Sequence, residues 1–212
     1  MRANELIITA VILLSFIIGA YFYPAMPDNI ASHWNAVGEV DGYLPKFWSL
    51  FLMPFVITVS MLCIVLIPKL DPLKANIEKF RRHYDAFSVI LALFFFYLYI
   101  LTILWNVGMK FSMMQLMAPA FAVLFYYTGV MIENSKKNWF IGIRTPWTMS
   151  SEKVWNKTHK LGGKLFKAVG VIALLGIFFP SYAFLIIVVP IISVAAYTAI
   201  YSYLEYNKET RH

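Results

Sequence analysis

Two polar stretches of this otherwise apolar chain contain the residue types that bind ligands or carry out chemistry. The first, residues 24–46, contains one imidazole and three carboxylates, at His33, Asp28, Glu39 and Asp41. Both groups are common protein ligands of divalent metals, although their spacing here matches no fixed metal motif. Three interpretations therefore stay open: a structural loop in which His33 and Asp41 bond backbone groups, a ligand or peptide site, and a metal site that includes those two residues.

The same stretch is rich in residues that favour turns. Gly38 and the pair Asp41-Gly42 favour chain reversals, and the Asn35 side chain is suited to closing an Asx-turn. Trp34 is of the type that anchors a loop at a membrane surface. Six residues of the loop are therefore predicted to contact a ligand or partner: His33, Trp34, Asn35, Gly38, Asp41 and Gly42.

The second polar stretch, residues 138–166, divides into an irregular part and a helix. The irregular part is built around Gly142, Arg144 and Pro146. Because proline restricts the residue before it, Thr145 is predicted to lie outside any helix. Ser150, Ser151 and Glu152 then predict a helix start, since hydroxyl caps and first-turn carboxylates satisfy unpaired amides.

At 100° per residue, the predicted helix is amphipathic. Five lysines at positions 153, 157, 160, 164 and 167 form one stripe, whereas Trp155, Thr158 and His159 lie on the opposite face. This pattern predicts a helix that lies along the membrane surface before the next span. Gly162-Gly163 would supply a hinge or a close-packing point.

Two side chains of this stretch could recognise a partner. Arg144, between Trp139 and Trp147, can form a bidentate contact with a carboxylate or a lipid phosphate, or can clamp helix carbonyls. His159 is predicted to be a packed, hydrogen-bonded residue, with a proton sensor or ligand as the alternative. Ten residues form the candidate site: Gly142, Arg144, Thr145, Pro146, Trp147, Trp155, Thr158, His159, Gly162 and Gly163.

Composition establishes what kind of molecule positions these stretches. Of the 212 residues, 60% are hydrophobic and 14% charged, and the mean hydropathy is +0.68, far from soluble averages. Because a span needs roughly 20 apolar residues, the sequence predicts an all-α, polytopic membrane protein. The uncharged blocks are Leu6–Tyr23, Phe47–Ile67, Ala86–Trp105, Met113–Ile132 and Ala168–Leu204.

The last block is long enough for two spans, and Pro180 near its middle predicts a break. Six spans place both termini on one side, together with sixteen of the eighteen Lys and Arg residues, which leaves Lys46 and Lys110 opposite. The positive-inside rule therefore predicts cytoplasmic termini. The single membrane domain, 1–212, would have an extracellular loop at 24–46 and cytoplasmic loops at 68–85 and 133–164, the last containing the signature.

The order I-G-I-R-T-P-W-T, S-E, V-W, K-T-H and G-G within residues 141–163 resembles the cytoplasmic signature of the SdpI family of bacterial membrane proteins. The pattern P-x-x-I-x-x-H-W-N-x-x-G-x-x-D-G-Y from Pro27 to Tyr43 resembles a membrane-associated domain of unknown function often fused to that signature. The resemblance implies a plasma-membrane protein in which the outer loop meets a secreted peptide toxin and the inner signature draws a cytoplasmic repressor to the membrane.

Two other functions stay open beside immunity. A permease pathway lined by Thr58, Ser60, Thr102, Gln115 and Thr128 is the alternative from another class. An enzyme acting at the outer surface is a third, although no H-E-x-x-H, G-x-S-x-G, P-loop or G-x-G-x-x-G motif is present. The sequence predicts no enzyme activity and no cofactor. The predicted partners are membrane lipid, the peptide toxin and the repressor, without direct nucleic-acid contact.

Overall fold

The computed structural model describes residues 2–211, and these residues form eight α-helices and one β-hairpin. The elements in chain order are α1 Ala3–Phe22, β1 Asn29–Trp34, β2 Val40–Pro45, α2 Lys46–Leu70, α3 Lys74–Glu78, α4 Arg81–Asn106, α5 Met113–Asn134, α6 Pro146–Ser150, α7 Glu152–Ala173 and α8 Ala183–Thr210. Helices α1, α2, α4, α5 and α8 are long and apolar enough to cross a membrane. The predicted class, a helical polytopic membrane protein, is confirmed.

The bundle has two distinct ends. The hairpin β1–β2 lies between α1 and α2 and defines the hairpin end of the molecule. The segment 135–151, between α5 and α7, lies at the other end, which we call the signature end. The sequence predicted the hairpin only as a turn-rich loop, because strands of six residues with two bulges carry no clean alternation of apolar and polar residues.

The predicted break in the last apolar block is confirmed. Helix α7 ends at Ala173, a 3₁₀ turn covers Leu174–Ile177, and a second 3₁₀ turn, Pro180–Tyr182, precedes α8. The prediction of a separate helix on the membrane surface is wrong, because α7 continues without interruption from the lysine-rich turns into the apolar turns. No hinge forms at Gly162-Gly163, since both glycines lie buried inside this helix.

Helix α7 packs against α5 in the antiparallel sense through glycines. A Cβ atom at Gly163 would lie 2.7 Å from the carbonyl oxygen of Gly129, and one at Gly170 would lie 2.7 Å from that of Ala122. Small residues permit such close helix approach in membranes. Gly163 thus lies level with the last turns of α5. The eleven residues of α7 that precede Gly163 extend about 16 Å beyond the level of Gly163, at 1.5 Å per residue.

The last turns of α8 accompany this projection. Lys157 Nζ lies 2.5 Å from Glu205 Oε2, and the Ser151 hydroxyl donates to Glu209 at 2.6 Å. Glu205 is buried and is also paired with Lys208 at 3.0 Å. Three of the five stripe lysines, Lys153, Lys157 and Lys160, therefore lie on a two-helix projection at the signature end, and α8 partly neutralises them.

Candidate functional sites at the two ends of the bundle

His159 is locked inside the signature end by two hydrogen bonds. Its Nε2 accepts the backbone N–H of Ile143 at 2.9 Å, so its Nδ1 carries the proton and donates to the carbonyl of Trp155 at 2.8 Å. The side chain is 1% exposed, and burial lowers its pKa to about 4. A neutral imidazole with both nitrogens satisfied is a structural element, as the packed interpretation predicted.

Gly142 and Trp155 complete the surroundings of this imidazole. The Trp155 ring stacks on His159 with centroids 3.9 Å apart, and its indole N–H donates to the carbonyl of Ser135 at 3.2 Å. Gly142 has φ +119°, and a Cβ atom there would collide with His159 Nε2. The glycine is therefore required both by its backbone conformation and by the close approach of the histidine.

Thr145 and Pro146 begin the short helix α6 and dock it on α8. The Thr145 hydroxyl accepts the backbone N–H of Thr148 at 3.1 Å, and the Thr148 hydroxyl accepts that of Thr145 at 2.9 Å, which forms a capping box. The Thr145 hydroxyl also lies 2.9 Å from that of Ser202. Thr145 therefore precedes the helix, as Pro146 predicted, and links segment 135–151 to α8.

The other predicted residues of the signature differ in accessibility. Thr158 and Gly162 are buried, and a Cβ atom at Gly162 would collide with the side chain of Ile143. Trp147 is half-buried against Tyr203, with ring centroids 5.0 Å apart. Arg144 is exposed, and its Nη1 donates to the carbonyl of Trp139. Only part of the predicted site can therefore meet a partner.

At the hairpin end, His33 and Asp41 are brought together as an exposed pair. His33 Nδ1 lies 2.5 Å from Asp41 Oδ1, and the side chains are 70% and 46% exposed. The expectation that both would bond backbone groups is wrong, because the strand register pairs His33 with Gly42 and so brings the neighbouring Asp41 within reach of the imidazole. Since they are solvent-accessible and polar, they can receive an outside ligand.

The rest of the hairpin loop builds the turn that presents this pair. Asn35 Oδ1 accepts the backbone N–H groups of Val37 at 3.1 Å and Glu39 at 2.9 Å, which confirms the Asx-turn. Gly38 has φ +86° at the tip. Gly42 lies against His33, since a Cβ atom there would be 2.8 Å from the His33 Cβ. Trp34 packs edge-on against Trp105 of α4 with centroids 5.6 Å apart.

The four candidate metal ligands of the hairpin end do not converge. Glu39 Oε2 accepts from Asn35 Nδ2 at 3.3 Å, and Asp28 pairs with Lys46 at 3.4 Å, whereas His33 pairs with Asp41. Within residues 2–211 no group of three His, Cys, Asp or Glu side chains is placed to hold a metal ion. The residues present therefore do not fit a metal site.

An apolar cleft of about 260 Å³ lies beneath the hairpin. Its lining joins the hairpin to α2, α4 and α5: Ser32, His33, Trp34, Met53, Leu98, Thr102, Met113, Met114 and Met117. Methionine side chains are flexible and polarizable, so a surface rich in them adapts to varied apolar shapes. The cleft opens beside His33, which places a polar rim next to an adaptable apolar floor.

Four of the five polar residues suggested for a permease pathway are engaged with backbone carbonyls. Thr58, Thr102 and Thr128 donate to the carbonyl four residues earlier in their own helices, and Gln115 donates to Ile177 at 2.8 Å. The methionine-lined cleft includes Thr102 but none of the other four.

Three side chains that sequence reasoning missed organise the two ends. Asp71, 2% exposed at the end of α2, accepts the N–H of Trp139 at 2.9 Å. Asn138, fully buried, accepts the N–H of Ile141 at 2.6 Å. Asn106 of α4 bonds both the N–H and the carbonyl of Ala31 at 2.9 Å, which covers the outer edge of β1. Asp71 and Asn106 have one sequence signal, an Asp or Asn shortly after an apolar block, whereas Asn138 lies within a polar segment.

The fold and the two ends define a polytopic helical membrane protein with an exposed polar hairpin at one end and a closely packed polar segment at the other. Residues 134–202 match the SdpI/YfhL protein family, and residues 10–58 match a domain of unknown function, DUF1648. The chain is 23% identical over 206 residues to the immunity protein SdpI of Bacillus subtilis (strain 168), which covers 97% of each chain. The chain is thus similar to the SdpI/YfhL family in residues 134–202 and to one immunity protein over almost its whole length. No solved structure matches it significantly.

Proposed function

We propose that this protein is a plasma-membrane immunity protein that protects its cell against a secreted peptide toxin. The observation that carries the proposal is the match to the immunity protein SdpI, which extends over nearly the whole of both chains. Because the alignment covers 97% of each chain, it includes both polar regions, and each end of this protein has a counterpart in the relative. Toxin recognition is assigned to the hairpin end and signalling to the signature end.

The hairpin end supports peptide recognition by its chemistry. The exposed His33–Asp41 pair offers both a ring nitrogen and carboxylate oxygens to a peptide backbone or side chain. The methionine-lined cleft beside it can accommodate an apolar side chain, because methionine adapts its shape to the ligand. A polar rim with an apolar floor fits a membrane-active peptide better than it fits a small ion.

The signature end supports a cytoplasmic role. Its projection carries exposed lysines at positions 153, 157 and 160. With the six spans predicted from the apolar blocks, both termini lie on the same side as these lysines, and the positive-inside rule assigns that side to the cytoplasm. We assign to this projection the capture of a cytoplasmic repressor.

The topology is tested by cysteine labelling in a Cys63→Ser background. A thiol placed at Ser150 should resist an impermeant maleimide added to intact cells, whereas one at Val37, exposed at the hairpin tip, should react. Both should react in lysed cells. Reaction of Ser150→Cys in intact cells would show that the orientation is reversed.

The function is tested by survival of sensitive cells exposed to membrane-active bacterial peptides. Wild type should protect against at least one, and His33→Ala and Asp41→Ala should lose protection at unchanged membrane levels. Glu39→Ala is the matched control, since it removes an exposed carboxylate from the same loop. Absence of protection by wild type against any peptide would overturn immunity, and substrate flux through proteoliposomes would then favour the permease.

A further inference from the structure

An exposed aromatic pair, Trp139 and Phe140, projects from the signature end. The side chains are 52% and 42% exposed, although the residues on either side, Asn138 and Ile141, are buried. Their placement is rigid. Asn138 Nδ2 donates to the carbonyls of Lys136 and Ile141, both at 2.8 Å, and its Oδ1 accepts the N–H of Phe140 at 3.0 Å.

Two contacts fix the depth of this pair relative to the bundle. Asp71, which directly follows the last residue of α2, accepts the N–H of Trp139. Ile141 packs in a cluster with Met131 of α5, next to Ile67 of α2. Trp139 and Phe140 therefore lie level with the ends of two membrane-spanning helices. Aromatic residues exposed at that level lie among lipid headgroups.

Arg144 lies at the same level and has spare donors. Its Nη1 donates to the carbonyl of Trp139 at 2.5 Å, which is its one hydrogen bond among residues 2–211. A guanidinium has five N–H donors in a planar fork that matches a phosphate group. The exposed Lys136 lies close by in sequence and adds positive charge.

We propose that Trp139, Phe140 and Arg144 form a binding site for the headgroup of an anionic phospholipid. The two rings occupy the headgroup layer, and the free edge of the Arg144 guanidinium binds the lipid phosphate. The rigid loop fixes the distance between rings and guanidinium before the lipid arrives, which lowers the entropic cost of binding. The site is independent of toxin recognition and of the repressor.

The site is tested with purified full-length protein in detergent, titrated with phosphatidylglycerol and followed by native mass spectrometry. Arg144→Gln should weaken retention of the first lipid about tenfold, as expected for loss of a charge-assisted contact. Arg82→Gln is the matched control, because Arg82 is exposed on the loop side of α4, and it should change retention less than twofold. Wild-type retention by Arg144→Gln would overturn the proposal.

Two further variants separate the site from loss of folding. Trp139→Ser with Phe140→Ser keeps Arg144 and should also weaken lipid retention, at an unchanged thermal unfolding midpoint. Arg144→Lys keeps the charge without the fork and should recover only part of the loss. Full recovery of lipid retention by Arg144→Lys would show that the contact is not bidentate. If Arg144→Gln weakened retention of phosphatidylglycerol and of zwitterionic phosphatidylcholine equally, the site would not be specific for an anionic lipid. Competition by free inorganic phosphate at millimolar concentration would equally exclude a lipid-specific site.

Discussion

The two ends of the molecule present polar residues in opposite ways. At the signature end Trp155 and His159 are buried, and each of their polar ring atoms has a hydrogen-bond partner. At the hairpin end His33 and Asp41 pair in the open. Both polar stretches have a recognisable sequence motif. The motif residues at the signature end are largely packed in the interior, whereas the His33–Asp41 pair at the hairpin end is on the surface. A recognisable motif therefore does not by itself indicate a contact surface.

Replacement of the buried tryptophan should give the largest loss of stability. Trp155→Ala removes the ring stacked on His159 and should destabilise the protein by about 3–5 kcal/mol. Trp48→Ala is the matched change in the first turn of α2 at the hairpin end, where the side chain is 52% exposed, and should have a much smaller effect. Thermal unfolding in detergent gives the midpoints of both variants. Similar midpoints would show that the buried Trp155 contributes no more to stability than the exposed Trp48.

A pair of glycines with positive φ sharpens the same comparison. Gly142→Ala adds backbone strain of about 1–3 kcal/mol and drives a methyl group into His159, whereas Gly38→Ala adds strain alone, because its new methyl group would meet no atom within 4 Å. The expected ranking of midpoints is wild type, then Gly38→Ala, then Gly142→Ala. Denaturant unfolding gives the free energies of unfolding of the three proteins. If Gly142→Ala were more stable than Gly38→Ala, the backbone around residue 142 would have to shift and relieve the clash with His159.

The pH dependence of stability should reveal the buried histidine. Burial lowers the pKa of His159 to about 4 from 6.5, so its neutral form contributes full stability above pH 6.5 and loses it as the pH falls toward 4. The expected loss between pH 7.5 and pH 5 is about 2 kcal/mol. His159→Gln removes the titrating group and should flatten this part of the profile. The same acid sensitivity in both proteins would contradict the assignment.

The exposed pair at the hairpin end should matter least for stability. Exposed ion pairs contribute about 0–1 kcal/mol, so Asp41→Asn should leave the unfolding midpoint within a degree or two of wild type. The same variant should reduce protection against a peptide, if the pair meets the toxin. A large fall in the midpoint would instead assign a structural role to the pair.

Several features followed from the sequence because they depend on local chemistry. Apolar block lengths predicted the membrane class, Pro180 predicted the break before α8, and Asn35 predicted its Asx-turn. Ser151 was predicted as a helix cap and accepts the N–H of Val154 at 3.2 Å. Each of these depends on one continuous stretch of the chain, so no distant contact was needed.

The remaining features were decided by contacts between distant segments. The lysine stripe predicted a helix on the membrane, but close packing of Gly163 and Gly170 against α5 makes α7 one continuous helix. Periodicity gives the faces of a helix and not its direction, which depends on the neighbours that cover the apolar face. Similarly, Asp71 and Asn138 acquire their roles only because the fold brings the end of α2 to segment 135–151, a proximity that no local pattern in the chain records.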